Sequence, residues 1–209
     1  MSEDSGLSRR LFIAGLAALP FAGCTSGPHP LQSDYDRAVT LFRQGKHDEA
    51  FKLFDEMILA EPANAGLYND RGALRAVRGE WGHAVRDFKL AIALEPDYAR
   101  PYLNRGKVYR VLANNWQVAD TNKALEYREL AITDLETALR IDRALPQAYL
   151  QLGLTYDENN DGQKAYDALD KGLKLIQTQP KLGEKLDAGI EERVRTRHRE
   201  LQKVYGRDL

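Results

Sequence analysis

A period of 34 positions is the feature that most constrains the fold. Four residues recur at this displacement: Gly45, Ala50, Phe54 and Pro62 return as Gly79, Ala84, Phe88 and Pro96. A tyrosine and a glycine also recur, first after 34 positions and then after 47, which is 34 plus 13: Tyr68 and Gly72, Tyr102 and Gly106, Tyr149 and Gly153. Such self-similarity is typical of proteins built from stacked repeats. We therefore expect a stack of similar units, the third of which is longer by 13 positions because it contains an insertion.

The spacing within one unit predicts two helices joined by a tight turn. Tyr102, Gly106 and Tyr109 lie at i, i+4 and i+7, which places them on one face of a helix. Gly79 lies where a tight turn between helices needs a positive φ, and Pro96 follows the second helix and prevents its continuation. Each unit is therefore expected to be a helical hairpin. The insertion, around residues 113–127, is expected to lengthen the helices or the turn of the third hairpin.

This arrangement of Gly, Tyr, Ala, Phe and Pro resembles the tetratricopeptide repeat, a helix-turn-helix unit with the same period. The resemblance implies an all-α fold, a right-handed solenoid of about four hairpins, with the repeat domain at 33–179. The repeats are 31–64, 65–98, 99–145 with the insertion, and 146–179, in which Asn160 replaces the turn glycine. Residues 180–209 are expected to be a capping helix, because apolar residues between Leu182 and Tyr205 fall on one helical stripe.

The N-terminal segment, 1–24, has the order of a secretory signal. Arg9 and Arg10 precede an apolar stretch, 11–22, and small residues precede Cys24, the only cysteine. The stretch is shorter than the roughly 20 residues that a membrane-spanning helix needs. Residues 21–24, Phe-Ala-Gly-Cys, resemble the lipobox of bacterial lipoproteins, with Phe21 where leucine is usual. The resemblance implies a removed signal peptide at 1–23, a lipid on Cys24 and a lipidated tether at 24–32.

The export route and the location follow from two shorter resemblances. Residues 8–13, which contain Arg9 and Arg10, are similar to the twin-arginine export signal. The general export route remains the alternative, as does an incidental thiol at Cys24 in an uncleaved N-terminus. Thr25 after the cysteine is similar to lipoproteins of the outer membrane of hosts that have two membranes. We expect a membrane-anchored lipoprotein that faces the periplasm.

Charge and motifs argue against several classes of function. A formal net charge of −1 gives no bulk attraction to nucleic acid. The four histidines are scattered, and the sequence has no His-Glu-x-x-His, Gly-x-Ser-x-Gly or P-loop motif. We therefore expect a protein that is not an enzyme, that needs no cofactor or metal, and whose partners are proteins.

The first helices of the hairpins are expected to line a concave surface on which a partner segment can lie. The candidate residues of this groove are Asn69, Arg100, Asn104, Lys107 and Arg110. The last four share roughly one helical face, and their cations and amide suit a carboxylate. The set is similar to tetratricopeptide clamps for acidic peptide ends, although Tyr35 and Val39 stand where the first repeat would add a cation and an amide. The alternative is ordinary solvated side chains that pair with Asp70 and Asp157.

Three functions follow from these expectations. The first is a membrane-anchored scaffold of the bacterial cell envelope that holds partner proteins on the repeat surface. The second is an assembly factor, similar to the tetratricopeptide lipoproteins that help to build a pilus or a secretion pore. The third is an enzyme with an unrecognised site.

Overall fold

The computed structural model describes residues 30–179 and 188–206. All regular structure in these two ranges is α-helical. The helices are α1 (Pro30–Arg43), α2 (His47–Ala60), α3 (Ala65–Val77), α4 (Trp81–Leu94), α5 (Ala99–Trp116), α6 (Thr121–Ile141), α7 (Pro146–Glu158), α8 (Gly162–Thr178) and α9 (Ala188–Tyr205).

Sequential helices pack as hairpins, α1 with α2, α3 with α4, α5 with α6 and α7 with α8. Each hairpin then stacks on the next, since the second helix of one unit contacts the first helix of the following unit. The core runs along this stack: Phe54, Phe88, Leu135 and Leu169 are almost completely buried, one in the second helix of each hairpin. The predicted all-α solenoid of four hairpins with a C-terminal helix is confirmed.

Three of the turns between paired helices share one backbone conformation. Gly45 (φ 75°), Gly79 (φ 76°) and Asn160 (φ 59°) occupy the left-handed region. In each turn the following amide donates to a carbonyl five positions earlier, as in the bond from Glu80 N to Arg75 O of 2.9 Å. Asparagine is the non-glycine residue that tolerates this conformation best, so Asn160 replaces the glycine without altering the turn.

The glycines of the Tyr-Gly pattern allow the paired helices to approach closely. A Cβ atom on Gly72 would lie 2.7 Å from Cε1 of Phe88, and one on Gly153 would lie 2.6 Å from Cγ of Leu169. These distances are too short for real contacts between carbon atoms. In these hairpins, the same contact therefore recurs between a glycine on the first helix and a large apolar residue on the second.

The insertion lengthens both helices of the third hairpin. α5 has 18 residues and α6 has 21, whereas α3 has 13 and α4 has 14. Asp120 caps the start of α6, because its carboxylate accepts a 3.1 Å bond from Lys123 N. The ammonium group of Lys123 in turn lies 4.1 Å from the centre of the Trp116 ring, which ties the added ends of the two helices together.

Buried ion pairs connect the two helices of the second and third hairpins. Arg71 makes two bonds to Asp87, of 3.0 and 2.7 Å, and Arg105 makes two bonds of 2.7 Å to Asp134. Burial lowers the pKa of each arginine, but the bonds and charge of the aspartate outweigh it, so the net shift of both arginine pKa values is upward. Both guanidinium groups are therefore held in the charged form.

α9 covers the open side of the fourth hairpin. Val194 and Leu201 are buried against Leu154 and Leu169, so the helix ends the apolar core as a cap does. The described helix, 188–205, is shorter than the predicted cap of 180–209, of which 180–187 and 207–209 lie outside the described residues.

The start of α1 corrects the predicted tether of 24–32. Helix α1 begins at Pro30, so residues 30–32 are helical. Proline is tolerated in the first turn of a helix, where its missing N–H has no intrahelical acceptor. Among the described helices, none combines the length and the hydropathy that crossing a membrane requires.

Candidate functional site

The first helices α1, α3 and α5, with the start of α7, line a cavity of about 550 Å³, here called the groove. Four of the five predicted groove residues line it: Asn69, Arg100, Asn104 and Lys107. Apolar side chains from the same helices form part of its wall, including Val39 and Leu103. The groove therefore offers apolar surface together with charged and amide groups.

Arg110 is the predicted groove residue that the structure places elsewhere. Its side chain is buried, with 9% of the residue exposed, and Nε donates to Gln151 Oε1 (3.1 Å) while Nη1 donates to Glu158 Oε1 (2.7 Å). At 3.6 residues per turn, the ten positions from Arg100 to Arg110 rotate the side chain by roughly 80° away from Arg100. Arg110 therefore faces α7, and the expectation that it shares the groove face is corrected.

Glu158, at the end of α7, is the charged partner of Arg110. Its Oε1 accepts from Arg110 and also from Arg193 of α9, at 3.0 Å. Its Oε2 is buried without a hydrogen bond. This carboxylate joins three helices and would be left with one charged partner fewer if Arg110 were removed. Arg110 is therefore a structural residue of the α5, α7 and α9 junction.

A chain of hydrogen bonds crosses the groove from α1 to α5. The hydroxyl of Tyr35 donates to Asp70 Oδ2 (2.7 Å), and Asn69 Nδ2 donates to Asp70 Oδ1 (2.9 Å). Asn104 Nδ2 then donates to Asn69 Oδ1 (3.0 Å). Asn69 is 2% exposed, and its buried amide nitrogen and amide oxygen each have a hydrogen-bond partner among these neighbours. The chain fixes three helices relative to one another along the surface where a partner would lie.

A second cavity, of about 420 Å³, adjoins the groove and shares Tyr35 and Asp70 with it. Tyr98 and Glu61 also line this second cavity. Burial, and then the bond and charge of Asp70, raise the pKa of Tyr35 far above its usual value. Burial and the charge of Asp70 likewise raise the pKa of Tyr98, against the opposing charge of Arg100. Both phenols are therefore neutral in the physiological pH range.

The charges that line the groove are of both signs. Arg43, Arg100 and Lys107 supply cations, and Asp70 and Asp142 supply anions. The sequence pattern did not identify Tyr35, Arg43 or Asp142 as groove residues, yet all three line the groove. A signal for Tyr35 was present, because 34 positions separate it from Asn69, which places both at the same site of successive first helices.

The alternative from the sequence was that the candidate groove side chains pair with Asp70 and Asp157, and the structure shows such a pairing for Asp70. Asp70 does pair within the groove, with the partners described above. Asp157 does not, because Arg197 of α9 binds it through Nε (2.9 Å) and Nη2 (2.7 Å). Arg100 and Lys107 also make contacts within the chain, so all of these groove side chains have intramolecular neighbours.

Two further sets of predictions concern metal sites and the N-terminus. Within 30–179 and 188–206, no three His, Cys, Asp or Glu side chains are grouped so that they could hold a metal ion. Cys24, Arg9 and Arg10 lie outside the described residues. The lipidation and export predictions for them stay predictions.

Comparison with known proteins finds a family match for the fourth hairpin. The tetratricopeptide repeat model matches residues 146–179, which form the fourth hairpin. RNA polymerase II-associated protein 3 of Xenopus laevis is 35% identical over 96 residues, which is 45% of this chain and 14% of that protein. The chain spans less than a third of the length of the curated relatives that it matches.

Solved structures share the arrangement of the hairpins. The crystal structure of a thermophilic tetratricopeptide protein of Thermus thermophilus has a TM-score of 0.67 and 24% identity, and the match covers 85% of this chain and 84% of that one. The first tetratricopeptide domain of Spaghetti, bound to the HSP90 peptide SRMEEVD, has a TM-score of 0.51 and 24% identity, covering 62% of this chain and 93% of that one. Residues 146–179 therefore match the tetratricopeptide repeat, and the helical hairpins are arranged as in these solved tetratricopeptide structures.

Proposed function

We propose that this chain is a scaffold of the bacterial cell envelope, anchored to a membrane through Cys24, that holds a segment of a partner protein in the groove. The observation that carries the proposal is the groove itself, with its apolar wall and a hydrogen-bonded frame from Tyr35 to Asn104. The tetratricopeptide fold supports it, since one domain of this fold is seen with the peptide SRMEEVD bound to it.

The frame makes the groove a prepared binding surface. Tyr35, Asp70, Asn69 and Asn104 are already fixed by mutual hydrogen bonds, so a partner does not have to order them. Val39 and Leu103 provide apolar contact area, and Arg100 and Lys107 provide charge at the same cavity. A partner segment of mixed apolar and polar character fits these walls.

The anchor is supported by sequence alone. A lipid on Cys24 would keep the groove near a membrane and raise its effective concentration toward membrane-bound partners. Five residues, 25–29, separate Cys24 from Pro30, the first residue of α1. The groove of a lipidated chain would therefore work within a short distance of the bilayer surface.

The groove is tested by affinity capture of the full chain from detergent-solubilised envelopes of the host. Arg100→Ala/Asn104→Ala removes a cation and an amide from the groove, and we expect it to reduce specific partner recovery at least fivefold. Arg86→Ala/Lys89→Ala on α4 is the matched control, because both side chains are exposed and lie outside the groove. Equal recovery with the groove variant and the control would overturn the proposal.

The same capture separates a general scaffold from an assembly factor. Several envelope proteins lost together from the groove variant would favour the scaffold. One oligomeric membrane protein, lost selectively, would favour an assembly role at a pilus or a secretion pore. Arg110 is left intact in this design, because its removal would take a charged partner from the partly buried Glu158.

The anchor is tested by Cys24→Ser, read by mass spectrometry and membrane fractionation. We expect the variant to carry no lipid and either to appear in the soluble fraction or to remain as an unprocessed precursor. Ser26→Ala, two positions further on, is the matched control and should be lipidated and retained. A processed Cys24→Ser protein that stays with the membrane would contradict the anchor.

A further inference from the structure

Asp70 lies at the centre of the proposed binding surface. It lines both the groove and the adjoining 420 Å³ cavity, and Tyr35 is beside it in both. The residue is half-buried on α3, the middle of the three neighbouring first helices. A partner segment that crosses from one cavity to the other would pass this carboxylate.

The carboxylate is held in place by groups that depend on it. Tyr35 donates to one oxygen at 2.7 Å and Asn69 to the other at 2.9 Å. If Asp70 turned away, the buried amide nitrogen of Asn69 would lose its acceptor, and a buried donor without a partner is costly. The negative charge is therefore a fixed feature of the groove.

The repeat register shows that hairpins of this fold also form with a neutral residue at this site. Asp36, Asp70, Asn104 and Gln151 occupy the same site of the four first helices, separated by 34, 34 and 47 positions. The third and fourth hairpins place a neutral amide there, and both fold as the second does. Asp36 is exposed and lines neither cavity. Among these four equivalent positions, Asp70 alone brings a carboxylate into the groove.

We propose that Asp70 determines the specificity of the groove, which accepts basic partner segments and rejects acidic ones. The proposal rests on the proposed function and names the partner class for the same site. An acidic segment would meet a like charge at the centre of the groove, where the Tyr35 hydroxyl and the Asn69 amide already donate to the Asp70 carboxylate. A segment with an N–H group or a cation there would meet an acceptor. The cations Arg100 and Lys107 alone would have suggested the opposite preference.

The test measures the binding of two synthetic peptides to the full chain by fluorescence anisotropy. The acidic probe is SRMEEVD with a free carboxyl end, and the basic probe is SRMKKVK with a carboxamide end. Asp70→Asn removes the charge and keeps the shape. We expect the ratio of the two dissociation constants to move at least fivefold toward the acidic probe in Asp70→Asn, relative to the unmodified chain. A smaller movement, including no binding of either probe, overturns the proposal.

Two variants control this measurement. Asp36→Asn makes the same change at the equivalent position of α1, outside both cavities, and should leave the ratio unchanged. Asp70→Asn/Arg100→Ala also removes a cation from the groove and should lose most of the gain for the acidic probe. An equal shift in Asp36→Asn would mean that overall charge sets the preference, which also overturns the proposal.

A misfolded variant would not decide the question, so a second substitution is included. Asp70→Asn introduces an amide nitrogen next to the donors of Tyr35 or Asn69, and circular dichroism shows whether this variant is folded. Asp70→Ala removes the charge without adding a donor, and the same fivefold movement is expected of it. Partner capture with Arg100→Ala/Asn104→Ala tests the groove separately: partner loss without a movement of the ratio would leave the groove proposal standing and reject the role of Asp70.

Discussion

The third and fourth hairpins differ in the contact that joins their two helices at equivalent positions: the third has an ion pair, and the fourth has apolar residues. In the third, Arg105 of α5 binds Asp134 of α6 through two bonds of 2.7 Å, and the aspartate is almost completely buried. The equivalent residues of the fourth hairpin, 47 and 34 positions later, are Leu152 and Ala168, both 6% exposed in an apolar cluster. The second hairpin has the ion pair as well, in Arg71 and Asp87. The same arrangement of two helices therefore forms with an ion pair or with apolar residues at these positions.

This difference separates what the fold requires from what the ion pair adds. The close approach of the helices is common to both hairpins, because Gly106 and Gly153 each face a leucine, Leu135 and Leu169. Taking two charges out of water costs free energy that their attraction must offset, so a buried pair is weak evidence of stability. The Arg105-Asp134 pair joins α5 and α6, the longest neighbouring helices described, through two bonds at one position along each helix.

The largest effect is expected when the pair is broken on one side. Asp134→Ala leaves the guanidinium of Arg105 buried without its carboxylate and should lower the free energy of unfolding by about 3 to 5 kcal/mol. The measurement is urea unfolding followed by far-UV circular dichroism. Glu129→Ala on the same helix, where the side chain is exposed, is the control and should change stability by less than about 0.5 kcal/mol. A loss for Asp134→Ala as small as that of the control would mean that Arg105 finds water or another acceptor.

A smaller loss of stability is expected when the glycine contact that both kinds of hairpin share is disturbed. Gly153→Ala brings a Cβ atom to 2.6 Å from Cγ and Cδ2 of Leu169 and 3.1 Å from its backbone nitrogen, so α7 and α8 must separate. The expected loss is about 1 to 3 kcal/mol in the free energy of unfolding, as for other overpacked cores. Gly72→Ala, which meets Phe88 at 2.7 Å, should cost a similar amount. If only one of the two variants were destabilised, the close approach would not be the shared requirement of both hairpins.

The sequence predicted the fold well because its strongest signals are local. Glycine and large apolar residues at a fixed displacement report a single hairpin, and every hairpin with such a glycine repeats the same contact. Even the substitution of Asn160 for the turn glycine follows from local backbone preference. The ion pairs were missed because their members lie on different helices, 16 and 29 positions apart. Their recurrence after 34 and 47 positions was nevertheless visible, since Arg71 and Asp87 reappear as Arg105 and Asp134.

The groove could be predicted only in part. Periodicity along α5 placed Arg100, Asn104 and Lys107 on one side, and the structure brings them to one cavity. The same reasoning failed for Arg110, because its orientation is decided by Glu158 on another helix as well as by rotation along α5. The link from Tyr35 to Asp70 spans two helices, so a pattern read along one helix at a time does not reveal it.

The smallest change in the free energy of unfolding is expected when the apolar residues of the fourth hairpin replace the ion pair of the third. Arg105→Leu/Asp134→Ala installs the residues found at Leu152 and Ala168, and it removes both charges together, so no buried charge is left without a partner. Replacing a buried ion pair with apolar residues is often neutral or stabilising, and we expect a change within about 1 kcal/mol of the unmodified chain, measured by the same urea unfolding. The double variant should therefore recover most of what Asp134→Ala alone loses, which requires strong coupling between the two positions. A double variant as unstable as the single one would show that the arginine stem and its stacking on Tyr102, 5.7 Å from the guanidinium carbon, matter more than the pair. The two hairpins would then differ in packing as well as in charge.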